Sequence, residues 1–261
     1  MRDHYVGAMR GVALGICPDV TLADITHEID AQDVLGGALE LAAAYKYFPQ
    51  GTVFLCVVDP GVGSARRGLA AESGGYRFVA PDNGLLTLVF KETVPTQVVE
   101  LTDRQYARPT VSRTFEGRDR FAPAAAWLAK GIAVGALGTP VTTWETLDIP
   151  EPRAIGGQLS GIVLRIDRFG NLITNIDRRS FDAFTAGGPI DIAVAGHHVE
   201  RLVDTYVEAG SAAACALFGS SDHLEIACPG GSAAERLGVK RGAPVLVRLK
   251  GQALAGPFPP C

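Results

Sequence analysis

The chain has 261 residues, of which 47% are hydrophobic and 20% are charged, a composition typical of a well-packed protein with one large or two modest domains. Its formal net charge of −4 is not the basic excess of nucleic-acid-binding proteins, so we expect no nucleic-acid partner. No uncharged apolar stretch reaches bilayer-spanning length, and the N-terminus does not have the form of a signal peptide. We therefore expect a cytoplasmic protein without membrane contact. The five cysteines are scattered without metal-ligand spacing, which indicates neither a metal site nor a disulfide framework.

Strand-like and helix-like patterns alternate over the first half of the chain. The segments whose β-branched and aromatic residues predict strands are 20–25, 52–56 and 76–80. The segments whose apolar spacing predicts helices are 5–14, 34–48 and 124–130. This alternation is typical of an α/β domain with a mostly parallel sheet, which we place over residues 1–140.

A polar turn, residues 59–67 (DPGVGSARR), follows the predicted strand 52–56. Its carboxylate, Asp59, therefore lies at the C-terminal end of a strand, which is the edge at which open α/β sheets bind ligands. The Pro-Gly-x-Gly sequence predicts a tight turn whose backbone can approach a substrate closely. Arg66 and Arg67 then bring positive charge to the same cleft. Taken alone, the segment is explained equally well as a turn with two solvated arginines.

Two further polar segments have a similar pair of explanations. Residues 81–84 (PDNG) follow the predicted strand 76–80 and form a second carboxylate-bearing turn at a strand end. Residues 114–123 (TFEGRDRFAP) precede the predicted helix 124–130. Taken alone, this segment is better explained as a capped helix start in which Asp119 and the neighbouring arginines are solvated.

The second half of the chain has a different pattern. Residues 140–152 are polar and contain three prolines, and we place a linker over residues 141–157. The short strand-like runs that follow are 161–167, 190–195, 213–218, 223–227 and 244–249. Short strands with glycine-rich turns and little helix indicate a smaller β-rich domain over residues 158–261.

The segment 167–176 (DRFGNLITNI) forms a polar cluster in this second domain. Its carboxylate, aromatic ring and carboxamide together suit a ligand with an ammonium group and a heteroaromatic base. Similar polar interruptions between strands contain Tyr206, Ser220, Ser221 and Glu225. Each of these alone is more often an ordinary turn or core residue than a ligand contact.

Five motifs now stand in one order along nearly the whole chain. They are 59–63 (DPGVG), 80–84 (APDNG), 114–119 (TFEGRD), 167–176 (DRFGNLITNI) and 224–227 (LEIA). Together they resemble the S-adenosyl-L-methionine (SAM) hydroxide adenosyltransferases, which are homologous to SAM-dependent fluorinase and chlorinase. The resemblance implies a homotrimer with SAM bound between the N-terminal domain of one subunit and the C-terminal domain of its neighbour. It also implies attack of water or hydroxide on the ribose C5′, giving adenosine and methionine, with no metal and no cofactor.

The resemblance assigns Asp59 and Arg66 to holding the attacking water. A carboxylate can orient water or accept its proton, and a nearby guanidinium keeps that carboxylate ionised. Halogenases have tyrosine at the position of Asp59, where an anion would repel halide. The third member of the set is histidine in the hydrolases and Glu116 here. Two carboxylates near one water would repel each other. This repulsion would either make one of them suitable as a general base or abolish activity.

Ten positions match substrate contacts of the family. Phe169 and Tyr206 match an aromatic pair that encloses adenine, and Asn171 matches a residue that bonds the adenine edge. Asp167 matches a carboxylate at the methionine end, where an ammonium group needs a counter-charge. The remaining matched positions are Asp3, Tyr5, Gly117, Ser220, Ser221 and Gly230. Halogenases have arginine at the Ser221 position, so the methionine carboxylate meets a different side chain here.

One element of the family precedes the first residue of this sequence. The family begins with a strand that ends in Thr-Asp-Phe-Gly, and the aspartate of that strand binds the ribose hydroxyls. If Met1 is the natural start, we therefore expect the first strand to be missing from the sheet, and a misassigned start is the alternative. Three alternatives to a SAM hydrolase stay open, namely a SAM-dependent halogenase, a SAM- or adenosine-binding protein without turnover, and a structural protein without a nucleoside site.

Overall fold

The structure is a computed structural model that describes residues 3–210 and 213–250. The chain forms two compact units, which meet in the chain between Asp148 and Ile149. This point lies inside the segment 141–157 that the sequence suggests as a linker. Throughout the described ranges, each helix is too short or too polar to cross a lipid bilayer.

The first unit contains helices on both sides of one sheet. Its helices are α1 (Tyr5–Ile16), α2 (Val34–Ala44), α3 (Thr87–Glu92) and α4 (Ala122–Ala129). Its strands are β1 (Val53–Leu55), β2 (Gly68–Ser73), β3 (Tyr76–Pro81), β4 (Gln97–Glu100) and β5 (Thr139–Pro140). A π-helix, Gly117–Phe121, runs directly into α4.

The sheet of the first unit is mainly antiparallel, with strand order β1-β3-β2-β4-β5. Only the β1–β3 pairing is parallel, whereas β2–β3, β2–β4 and β4–β5 are antiparallel. The prediction of a mostly parallel sheet is therefore wrong for the described residues. The reason is the two-residue loop Gly74-Gly75, where both φ angles are positive (58° and 80°), as tight hairpin turns require. This glycine pair makes β2 and β3 a hairpin, so the two strands run in opposite directions.

The predicted strand 20–25 is also wrong, because this segment makes no strand pairing. Its Asp24 instead forms an ion pair with Arg10 of α1 and contacts the His27 ring. The predicted helices 5–14 and 34–48 and the predicted strands 52–56 and 76–80 correspond to α1, α2, β1 and β3.

Both faces of the first sheet are buried. Alternate residues of β3 point to opposite faces, so Phe78 packs with Leu41 of α2 and Val89 of α3. Val79 packs on the other face with Leu128 of α4. A sheet covered by helices on both faces reads as near-continuous apolar strands, which explains the run in β3.

The second unit is β-rich, as predicted. Its strands are β6 (Arg153–Ile155), β7 (Gln158–Ile166), β8 (Leu172–Asp177), β9 (Ile190–Val194), β10 (His197–Val199), β11 (Arg201–Leu202), β12 (Cys215–Phe218), β13 (His223–Ala227) and β14 (Pro244–Leu249). Their order is β10-β9-β14-β7-β8-β13-β12-β11, with β6 paired to β7. Helices α5 (Arg178–Thr185) and α6 (Ala233–Leu237) cover part of the core. Helix α5 was not predicted from the sequence. Its N-terminal cap is Asp177, whose side chain accepts from the Ser180 N–H at 2.8 Å.

Candidate active site

The turn after β1 is held in place from two directions. Gly63 has φ of +78°, and a Cβ there would overlap the carbonyl oxygen of Arg113, so only glycine fits. The Asn83 side chain, from the turn after β3, donates to the Val58 carbonyl at 2.8 Å. Because Val58 immediately precedes Asp59, this hydrogen bond positions the Asp59 backbone.

Asp59 and Arg66 form a buried two-pronged ion pair. Arg66 Nε donates to Asp59 Oδ1 at 2.7 Å, and Arg66 Nη2 donates to Asp59 Oδ2. Their side chains are 7% and 9% exposed. Arg66 also lies over the ring of Phe121, 5.1 Å from its centre. Burial alone would lower the pKa of Arg66, but its contacts with Asp59 and Glu116 raise that pKa, so the guanidinium remains charged.

Glu116 joins this pair and brings a second arginine with it. Glu116 Oε2 lies 3.0 Å from Arg66 Nη2 and accepts from Arg120 Nη1 at 3.1 Å. Arg120 Nη2 in turn donates to the Leu101 carbonyl at 2.6 Å. We call Asp59, Arg66, Glu116 and Arg120 the charge cluster. Its charges alternate and sum to zero, so the expected repulsion between the two carboxylates is offset by the guanidinium between them.

The π-helix directs two acidic residues to different partners. Glu116 precedes it and contacts the charge cluster, whereas Asp119 is fully buried and accepts from Arg118 Nε at 2.7 Å and from the Ser112 N–H at 2.9 Å. Burial raises the pKa of Asp119, but these hydrogen bonds outweigh burial and lower it. The explanation of this segment as a capped helix start with a solvated Asp119 is therefore wrong. Short π-helices often occur at functional sites because they redirect side chains in this way.

Three further residues of the first unit were assigned to substrate binding. A Cβ at Gly117 would lie 3.0 Å from the Met9 sulfur, so glycine permits the close approach of α1. Tyr5 begins α1 and is half exposed, and its ring meets that of Phe115 edge-on with 4.9 Å between centres. Tyr5 thus lies beside the segment that carries Glu116, while Asp3 is exposed just before α1.

The two arginines of the turn 59–67 have different partners. Arg67 Nε donates to Asp82 Oδ2 at 2.8 Å, and Arg67 Nη2 donates to the Thr143 carbonyl. Asp82 Oδ1 accepts from the Glu145 N–H at 2.8 Å. Arg67 and Asp82 therefore anchor the segment 143–145, and only Arg66 belongs to the charge cluster.

In the second unit, Asp167 organises the loop between β7 and β8. Its Oδ1 accepts from the Phe169 N–H at 2.8 Å and from the Asn171 N–H at 2.9 Å. Its Oδ2 accepts from Asn171 Nδ2 at 3.0 Å. The loop leaves the Phe169 ring 72% exposed while Asn171 is buried. An exposed phenylalanine beside an ordered carboxylate and amide is a surface suited to stacking of a flat ring.

Tyr206 and Glu225 form a second pair in this unit. The Tyr206 hydroxyl donates to Glu225 Oε2 at 3.0 Å, and Glu225 is 7% exposed. Burial raises the pKa of Glu225, the charge of Asp167 raises it further, and the Tyr206 hydrogen bond opposes both. Burial and Glu225 likewise raise the pKa of Tyr206. We call Asp167, Asn171, Tyr206 and Glu225 the acidic cluster. Glu225 was not among the substrate positions from the sequence, although it lies in the motif 224–227.

The remaining matched positions lie on turns. Ser220 and Ser221 are exposed between β12 and β13, and the Ser221 carbonyl lies 2.8 Å from Nδ1 of His223. The Gly230 carbonyl accepts from Arg236 Nη2 at 3.3 Å. Within residues 3–210 and 213–250, no group of three or more His, Cys, Asp or Glu residues is arranged to hold a metal ion.

The family of the chain follows from two matches that together span most of it. Residues 1–138 match the SAM hydroxide adenosyltransferase N-terminal domain, and residues 161–246 match the SAM hydroxide adenosyltransferase C-terminal domain. The chain belongs to the SAM hydroxide adenosyltransferase family. The prediction from the five motifs is thus confirmed.

Individual relatives of this family member include both hydrolases and halogenases. An (R)-S-adenosyl-L-methionine hydrolase of Thermus thermophilus is 38% identical, and the match covers 94% of each chain. A fluorinase of an Actinoplanes species is 30% identical, with 80% of each chain covered. The crystal structure of an uncharacterised conserved protein from Thermotoga maritima is 32% identical, with a TM-score of 0.89 over 95% of this chain and 96% of that one.

Proposed function

We propose that this protein hydrolyses SAM to adenosine and methionine. The observation that carries the proposal is the buried Asp59–Arg66 pair at the end of β1 in a SAM hydroxide adenosyltransferase. An anionic carboxylate can orient water but would repel a halide, which favours hydrolysis over halogenation. The relatives agree with this choice, since the hydrolase of Thermus thermophilus is 38% identical and the Actinoplanes fluorinase 30%.

The proposed reaction is a single displacement at the ribose C5′. A lone pair of water forms the new C5′–O bond as the C5′–S bond breaks, and both electrons of that bond go to sulfur. Methionine leaves as a neutral thioether, and the proton of the water passes to a carboxylate of the charge cluster and then to solvent. Because the sulfonium already activates the carbon, the work of the protein is to place and deprotonate the water. We therefore propose that neither a metal nor a cofactor takes part.

The acidic cluster and the neighbouring Phe169 supply groups for the rest of SAM. Phe169 and Tyr206 would enclose adenine, Asn171 would bond its edge, and Asp167 would face the methionine ammonium. The 72% exposure of Phe169 supports a pocket that another surface completes. We accordingly propose a homotrimer in which the first unit of one subunit and the second unit of its neighbour share each SAM. The cytoplasmic location and the missing first strand of the sheet both stay predictions.

The decisive experiment incubates the chelator-treated protein with SAM in water enriched in oxygen-18. We expect adenosine and methionine in equal amounts, with the heavy oxygen on the adenosine 5′ carbon, because water is the nucleophile. The matched control adds chloride or fluoride, and a 5′-halo-nucleoside in that sample would identify a halogenase instead. Calorimetric binding of SAM without any product would identify a binding protein and contradict the proposal.

A further inference from the structure

The carboxylates of the charge cluster differ in how many of their oxygens are already engaged. Arg66 contacts both oxygens of Asp59. The contacts of Glu116 with Arg66 and Arg120 are both made by Oε2. Among the residues that the structure describes, none donates a hydrogen bond to Oε1. Glu116 therefore has one oxygen fixed and one oxygen able to accept from a water.

Arg120 is the group that fixes the first oxygen. It stands four positions after Glu116, where a helical segment brings the two side chains together. Its guanidinium is held at a second point by the Leu101 carbonyl, next to the end of β4. Arg66 alone would restrain Glu116 only weakly, because the Arg66 guanidinium donates to both oxygens of Asp59. Two anchored cations on one oxygen restrict rotation of the carboxylate.

We propose that Arg120 is a positioning residue that holds Glu116 by Oε2 and thereby presents Oε1 to the attacking water. This inference rests on the proposed hydrolysis of SAM and adds to it a residue that the sequence motifs do not assign. It also explains how glutamate can stand where the family hydrolases have histidine. Arg120 supplies the positive charge that a second carboxylate needs next to Asp59.

The charged and titratable groups around Glu116 are few. Asp59, Arg66 and Arg120 make up the charge cluster itself, and α1 brings the neutral Met9 to Gly117. Three further groups, His4, Tyr5 and Arg118, lie against the ring of Phe115, which precedes Glu116 in the chain. Loss of Arg120 removes one of the two cations in contact with Glu116. A cation in contact with a carboxylate favours its ionised form, so we expect the acid side of the measured pH–rate profile to move to higher pH in a variant without Arg120.

The test compares Arg120→Leu with Arg120→Lys and with Arg77→Leu. Arg77 is the matched control because its Nη1 donates to the Leu128 carbonyl at 2.9 Å, with no acidic group among the acceptors that the structure gives it. We expect Arg120→Leu to lower kcat by about 10- to 100-fold with KM changed less than about threefold. Arg120→Lys should recover part of kcat, and Arg77→Leu should keep the parental kcat and pH profile.

A double variant separates positioning from a general loss of stability. If Arg120 acts through Glu116, Arg120→Leu combined with Glu116→Gln should be no slower than Glu116→Gln alone. Additive losses, or a parental kcat and pH profile in Arg120→Leu, would overturn the inference while leaving the hydrolase function intact. If Arg120→Leu does not fold by circular dichroism, Arg120→Lys takes its place, and a fully parental profile in that variant would count against positioning by the guanidinium. Absence of adenosine with the parental protein would overturn both proposals.

Discussion

The charge cluster and the acidic cluster contain the same number of carboxylates but use them differently. In the charge cluster, each carboxylate meets at least one arginine, and the sum of charges is zero. In the acidic cluster, Asp167 and Glu225 accept from amide and hydroxyl groups, and burial raises the pKa of Glu225. A balanced cluster can orient a small neutral nucleophile, whereas an acidic and aromatic one suits a large cationic ligand. We therefore propose that the first unit carries the chemical step and that the second unit provides most of the affinity for SAM.

The largest expected effect comes from the charge cluster. Asp59→Asn keeps the shape of the side chain but removes the charge that pairs with Arg66 and that we propose orients the water. We expect kcat to fall by about 1,000-fold while SAM binding stays within about fivefold. Steady-state kinetics and calorimetry on the same samples measure the two quantities. A kcat equal to that of the parent protein would show that Asp59 acts only as a turn residue.

A change in the acidic cluster should give the opposite pattern. Asp167→Asn removes the proposed counter-charge of the methionine ammonium, so KM for SAM should rise by about 10- to 100-fold with kcat within about threefold. Affinity for adenosine, which has no ammonium group, should change little. Asp177→Asn is the control, because Asp177 caps α5 with a similar 2.8 Å bond outside the cluster. An equal loss of affinity for SAM and adenosine would show that Asp167 only shapes its loop.

The smallest effect concerns stability and pH. The pKa of Glu225 is raised in the folded protein, so the folded state binds a proton more readily than the unfolded state. The free energy of unfolding therefore falls as pH rises above the pKa that Glu225 has in the unfolded chain. Glu225→Gln removes this dependence. We expect the variant to gain up to about 3 °C in melting temperature relative to the parent at pH 8, and less at pH 4. Thermal unfolding of both proteins at pH 4 and pH 8 measures the difference in melting temperature. An equal difference at the two pH values would contradict a raised pKa of Glu225.

The sequence by itself determined the family, the two-domain plan and the pairing of Asp59 with Arg66. The order of the motifs determines the family, and the change from alternating helices and strands to short strands determines the two domains. Asp59 and Arg66 are only seven positions apart, so they are close in the chain. Local signals suffice for these features because each depends on residues that are near one another in sequence.

Only the tertiary structure decided the strand directions, the burial of Asp119 and the place of Arg120. The Gly74-Gly75 hairpin signal was present in the sequence, but the neighbours of β2 depend on how the whole sheet assembles. Arg120 reaches Glu116 because a π-helix sets their register, and it reaches Leu101 because β4 ends beside that helix. The contact of Arg120 with Leu101 spans 19 positions of the chain, and the energies of both Arg120 contacts depend on burial and geometry that no local pattern encodes.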